Sequence, residues 1–183
     1  MISATLALLN RDGTLQSIYL HFGDYPVDKT LQAHYNTQAK VTQLLALGHL
    51  SKLAAEIGEQ HNYYDHHCQH PNWTLAFHRD GGDSWSLVKT ETFDNWEHFL
   101  GSKRQKYTYV YSTESERGDI AGRWYLLADE GKLYPLGQKY TYVYSTESER
   151  GDIASRWYLL DDEGKLYPLD LLSEEDRRKF FGN

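Results

Sequence analysis

The stretch QKYTYVYSTESERGDIAGRWYLLADEGKLYPLG (residues 105–137) is followed at once by QKYTYVYSTESERGDIASRWYLLDDEGKLYPLD (residues 138–170). The two differ only where Gly122 becomes Ser155, Ala128 becomes Asp161 and Gly137 becomes Asp170. In Tyr107-Thr108-Tyr109-Val110-Tyr111 the tyrosines recur at spacing two, so they share one face of a strand while Thr108 and Val110 share the other. A polar stretch interrupts the pattern, and Arg123-Trp124-Tyr125-Leu126-Leu127 restores it. Asp129-Glu130-Gly131-Lys132 has turn composition, and Leu133-Tyr134-Pro135-Leu136 is short, with a proline that suits an edge or a strand exit. Each copy therefore reads as a three-stranded β-meander.

A meander of this size buries too little to stand alone, so it packs on its twin, on the N-terminal portion or on another chain. Two copies fall short of a solenoid. The expected organisation is an N-terminal α+β portion (1–104), two meander repeats (105–137 and 138–170) and a helical tail (171–183). One repeat completes the N-terminal sheet and the other extends or mimics it. Because both carry the same strand, they compete for one docking place, which implies a homodimer or a domain swap as a partner arrangement.

Working outward, residues 4–22 read as a hairpin about Asp12-Gly13, and Val27–Tyr35 and Thr37–Leu47 as helices, with Gly48 as a stop. Ser51 reads as the N-cap of a further helical turn, and Trp73–His78 as a strand turned at Arg79–Asp83 and paired with Trp85–Thr92. Asp94–Leu100 and the segment after Ser173 read as short capped helices. The fold class is α+β: an antiparallel sheet with short helices on one face, plus the duplicated meander.

The chain has fifteen tyrosines, six phenylalanines and five tryptophans, enough for a packed core, and no apolar run of membrane-spanning length. One cysteine excludes a disulfide framework; with no signal peptide visible, the expected location is the bacterial cytoplasm. A formal charge of -7, with acids and bases interspersed, argues against direct nucleic-acid binding and against a DNA mimic.

Ser17-Ile18-Tyr19-Leu20-His21-Phe22-Gly23-Asp24-Tyr25-Pro26, then Leu31 with His34-Tyr35-Asn36, Val41, Leu44–Gly48 with Leu50-Ser51, and Phe77-His78-Arg79-Asp80 carry a resemblance. The chain resembles a family of small phage and prophage proteins that end in one tyrosine-rich strand and a Trp-Tyr strand. The resemblance covers residues 1–136 and makes residues 138–170 an additional copy. This chain has Gly23-Asp24 where the family has Asp-Gly, and Gly81 where it has a second arginine. No activity carries over; the resemblance implies an accessory role, such as blocking a host defence.

Three sets of residues are candidates for chemistry or recognition. His21, Asp24, His34, His78, Arg79 and Asp80 converge into a ligand site if the hairpin lies beside the Trp73 strand; otherwise they are corner and turn pairs. His61, His66, His67, Cys68 and His70 offer metal donors in a loop whose spacing matches no established motif. The tyrosine rows Tyr107, Tyr109, Tyr111 and Tyr140, Tyr142, Tyr144 are core where buried and a recognition surface where exposed. No Walker, Rossmann, nucleophile-elbow or CxxC pattern is present, so no cofactor is expected. The leading expectation is a non-enzymatic protein that binds a host protein. A binder of a nucleotide-like signal is the alternative, and a metal-dependent hydrolase the third.

Overall fold

The computed structural model describes residues 2–23, 27–65, 69–82, 89–113, 122–129, 131–136, 141–145, 156–160 and 165–181. Strands β1 (Ile2–Leu9) and β2 (Leu15–Gly23) form the expected hairpin, paired from Leu9↔Leu15 to Ala4↔Leu20. Thr14 N donates to Asp12 Oδ1 at 3.0 Å, and Gly13 takes a φ of 84°, where a Cβ would be penalised. Helices α1 (Val27–His34) and α2 (Gln38–Ala46) follow, the second capped by Thr37, whose Oγ1 accepts from Lys40 N at 3.4 Å. Gly48, at a φ of 74°, turns the chain out of the helix.

Two expectations then fail locally. Ser51 caps no helix; it lies in β3 (Leu50–Leu53), which pairs parallel to β2 with Leu20 opposite Leu50. The strand expected over Trp73–His78 is confined to β4 (Leu75–Ala76), and helix α3 (Phe77–Gly81) takes His78, Arg79 and Asp80. The cause is Asp80, whose Oδ2 accepts from Ala76 N at 2.7 Å and so satisfies a donor at the helix N-terminus, where a carboxylate is favoured. Of the strand expected at residues 85–92, residues 85–88 lie outside the described residues. Strand β5 (Glu91–Phe93) pairs with the first half of β2, so β3 and β5 share one β2 edge.

After helix α4 (Trp96–Gly101), capped by Asn95, repeat one supplies β6 (Tyr107–Ser112), β7 (Arg123–Leu127) and β8 (Leu133–Pro135). The sheet runs β4-β3-β2-β1-β6-β7-β8, with β5 also on β2. The architecture is α+β, but the sheet is mixed, because β1 pairs with both β3's neighbour β2 and, in parallel, with β6. Gln105 N donates to Thr5 Oγ1 at 2.9 Å where β6 enters, and Thr113 N donates to Leu9 O at 3.3 Å where it leaves. Side-chain alternation is the same in parallel and antiparallel strands, so the sequence pattern carries no sign of direction.

Register sorts the core into two layers. On one face Leu6, Leu8, Ile18, Leu20, Tyr109, Tyr111, Trp124 and Leu126 are buried, and α1 and α2 add Leu31, Val41, Leu44 and Leu45. Trp124 Nε1 donates to Tyr35 O at 2.7 Å, and Tyr111 meets Trp124 edge-on with centroids 5.4 Å apart. On the other face Ala7, Leu15, Phe93, Phe99, Val110 and Leu127 form a second cluster, with Trp96 and Leu100 of α4 packed on it. Helices therefore cover both faces, whereas one was expected. The connection from β5 to β6 passes through α4, and Phe99 of that helix is fully buried in the second layer.

The chain divides into two compact units, residues 1–134 and 135–183. In the second, β9 (Thr141–Ser145), β10 (Arg156–Leu160) and β11 (Leu166–Pro168) form a three-stranded antiparallel sheet, followed by a 3-10 turn at Leu169–Leu171 and helix α5 (Glu174–Phe181). Its core includes Trp157, Leu159, Leu169 and Leu172, and Ser173 caps α5 by accepting from Asp176 N at 3.0 Å. Repeat two keeps the register of repeat one: Tyr142↔Leu159 and Tyr144↔Trp157 match Tyr109↔Leu126 and Tyr111↔Trp124. Among the described residues no helix is long and apolar enough to cross a membrane.

The Trp124–Tyr35 hydrogen bond ties repeat one to the α1–α2 corner in a buried place. Trp124→Phe keeps most of the packing and leaves the Tyr35 carbonyl unpaired, so it is expected to lower unfolding free energy by about 1–3 kcal/mol. Urea unfolding followed by far-UV circular dichroism measures this; an unchanged midpoint would show that the bond contributes nothing.

Candidate functional site

The candidate centre lies at the β3–β4–α3 end of the sheet, and its strongest feature is the Arg79–Asp80 pair. Arg79 Nε donates to Asp80 Oδ1 at 2.8 Å, and Nη2 donates to Asp80 Oδ2 at 3.0 Å and to Thr74 O. Nη1 donates to Ile57 O at 2.9 Å and Gly58 O at 3.2 Å. A guanidinium has five N–H donors, and these bonds engage all five. Asp80, whose side chain is fully buried, also accepts from Ala76 N and from His61 N. The pair is a clamp: it gathers the carbonyls of residues 57, 58 and 74 and the amides of 61 and 76 around one neutral unit. Gly58, at a φ of 68°, lies where a side chain would collide with the Trp73 ring, so the clamped loop also needs glycine there.

Beside the clamp is a ring cluster that the sequence reading did not assemble. Tyr19 and His21 stand two apart on β2 and so share a face, with Tyr19 Oη and His21 Nδ1 at 2.9 Å. His49 meets Tyr19 edge-on, and Phe77 lies between His21, at 6.3 Å, and Tyr63, at 5.7 Å. Tyr63 in turn contacts Tyr64, which is 65% exposed. Within the cluster Phe77 is buried and Tyr19, His49 and Tyr63 are half-buried, while the His21 imidazole and the Tyr64 ring are exposed and suited to stacking and single hydrogen bonds. Its signal in the sequence is only the Tyr19–His21 spacing; His49, Tyr63 and Phe77 arrive from three other segments.

His49 is the titrating member with a resolved direction. Burial pushes its imidazole below the ordinary value of 6.5, against a smaller opposing pull from Glu91. Its Nδ1 accepts from Tyr19 N at 3.3 Å, a bond that protonation at that atom would remove.

The other predicted residues are distributed as follows. His21 projects from the face of β2 opposite the one that packs on α1 and α2, whereas His34 is exposed in the last turn of α1, so the sheet lies between them. His78 is exposed on α3. Asp24 lies outside the described residues. Of the metal candidates, His61 and His70 contact Trp73 with centroids 5.9 and 4.9 Å away, and His66, His67 and Cys68 lie outside the described residues. Among the described residues no group of three or more His, Cys, Asp or Glu is placed to hold a metal. In repeat one Tyr109 and Tyr111 are core and Tyr107 is half-buried. In repeat two Tyr142 and Tyr144 lie in β9, and Tyr140 lies outside the described residues.

Arg79→Lys keeps the charge but cannot reach five acceptors, so it is expected to cost about 3 kcal/mol, the scale for breaking a buried pair. Urea unfolding gives the number, and faster amide exchange over residues 57–76 locates it. For His49, the unfolded chain takes up a proton at higher pH than the folded protein, so stability is full above about pH 6.5 and falls as pH drops through that value. His49→Asn retains an acceptor for Tyr19 N, and its urea midpoint should fall less than that of the parent between pH 7.5 and 5.5. Equal falls would remove His49 as the cause.

Comparison of the chain with protein-family models, with curated proteins and with solved structures gives no match in any of the three.

Proposed function

We propose that this chain acts by binding a protein partner and performs no catalysis. The observation that carries this reading is the engagement of all five Arg79 donors and of the buried Asp80 carboxylate by their own loop. A cation and a carboxylate held in this way serve folding, and neither is left to polarise a substrate or move a proton. What the chain offers for recognition is a duplicated strand unit. In repeat one Thr108–Ser112 of β6 are paired with β1; in repeat two the matching residues Thr141–Ser145 form β9, the last strand of its own sheet among the described residues. A strand at the end of a sheet recognises extended backbone by strand addition. The resemblance to phage and prophage proteins makes a host protein in the bacterial cytoplasm the partner, and inhibition of a defence protein the outcome.

A second reading draws on the ring cluster. His21 and Tyr64 are exposed and Tyr19 half-buried around the buried Phe77, and a planar ring of a nucleotide-like ligand could stack on those exposed rings, with no contribution from Arg79.

Affinity capture from bacterial lysate separates the two. A host protein captured by the full chain should be lost at least tenfold with Thr141→Lys/Val143→Lys, which charge the strand without touching the tyrosines opposite Trp157 and Leu159, and retained with His21→Ala/Tyr64→Ala. The reverse pattern, together with excess mass of a small molecule on the untagged protein in native mass spectrometry, would replace the first reading with the second.

A further inference from the structure

The two repeats carry the same strand, yet repeat one occupies the β1 edge. The contacts that hold it there use residues that repeat two also has. Gln105 meets Thr5 and Ser3, Tyr111 and Trp124 reach the carbonyls of Asn36 and Tyr35, and Thr113 reaches Leu9. Thirty-three residues later the sequence supplies Gln138, Tyr144, Trp157 and Thr146. Attractive contacts therefore do not distinguish the copies; apart from the shorter tether of repeat one to α4, the distinction lies at the three positions where they differ.

Two of those positions are tight in the seat of repeat one. A Cβ on Gly122 would fall inside the Tyr111 ring and hydroxyl. Tyr111 has no room to yield: it is 1% exposed, lies edge-on to Trp124 and donates to Asn36 O at 3.4 Å. Ala128 is also 1% exposed, in the β7–β8 turn where its N donates to Lys132 O and its O accepts from Gly131 N. Repeat two has Ser155 and Asp161 at the matching positions. Placed on β1, it would drive a side chain into the tyrosine and bury a carboxylate with no partner. The third difference, at residue 137, lies outside the described residues.

We propose that Gly122 and Ala128 reserve the β1 edge for repeat one, and that Ser155 and Asp161 bar repeat two from it, both within one chain and between two copies. The device is a specificity determinant: two substitutions keep a near-identical segment from exchanging into the sheet. Overpacking and an unpaired buried carboxylate together set a preference of at least about a hundredfold.

Disulfide trapping in the full chain tests it. Leu9 is the Cα partner of Ser112, and the matching residue in repeat two is Ser145. Paired strands lie about 4.8 Å apart, within the reach of a disulfide. In a Cys68→Ser background, Leu9→Cys/Ser112→Cys should oxidise within the chain, whereas Leu9→Cys/Ser145→Cys should form neither the internal bond nor the crossed dimer. Adding Ser155→Gly/Asp161→Ala leaves residues 1–137 otherwise untouched and should raise the Leu9–Ser145 bond to within a few-fold of the Leu9–Ser112 bond. Exchanging both sites, with Gly122→Ser/Ala128→Asp added as well, should reverse the preference. A Leu9–Ser145 bond already present in the parent repeats, or one still absent after Ser155→Gly/Asp161→Ala, would overturn the proposal.

Discussion

The edge of β1 away from β2 has room for one strand, and the chain contains two segments that fit its hydrogen-bonding pattern. The rest of the first unit depends on which one takes the place. β1 is paired on both edges and lined on both faces, by Leu6 and Leu8 toward α1 and α2 and by Ala7 toward α4. Repeat one completes both layers at once, because alternation sends Tyr109 and Tyr111 to one face and Val110 to the other. Without a strand on that edge, a row of backbone donors and acceptors would be exposed beside two open cores.

That constraint explains why near-identity of the repeats is tolerable. A second copy of a core strand is a hazard, since it can displace the first or capture the β1 of another molecule. Glycine at residue 122 and alanine at 128 make the seat selective through volume and charge, with no change to the tyrosines or to the pairing register. The same register then serves two ends: in one unit it closes a mixed sheet, and in the other it builds a three-stranded sheet ending at β9.

How far the sequence was legible follows from how local each cause is. The hairpin, α2, α4 with its cap, α5 and the strands of both meanders were readable, because turns, caps and period-two alternation act over a few residues. The parallel pairing of β6 with β1 was not, since Ser3, Thr5 and Leu9 meet Gln105 and Thr113 about a hundred positions away. Phe77 and His78 were read as strand and 79–81 as turn for the same reason: the β-like run before them suggested a strand, while Asp80 bonding Ala76 N and Arg79 reaching Ile57 and Gly58 imposed a helix. The ring cluster needed four segments to meet, and the period-two spacing of Tyr19 and His21 is its only local signal. Which repeat docks was encoded in the sequence at residues 122 and 155, but a Gly-to-Ser difference acquires meaning only when Tyr111 is seen against it.

The clamp and the edge together shape the functional argument. A guanidinium and carboxylate neutralising each other over a loop add little net charge, and their five-donor geometry is lost if either partner leaves to meet a ligand. Recognition through that pair would therefore have to begin by opening the loop it holds, at the expense of several hydrogen bonds. Recognition through a terminal strand begins with donors and acceptors already aligned for a partner's backbone, and the duplicated strand can serve it without disturbing the copy on which the first unit is built. The proposed exclusion of repeat two from β1 and the proposed binding role of repeat two would thus have one physical origin: a strand that does not enter the first unit's core is available for pairing of another kind.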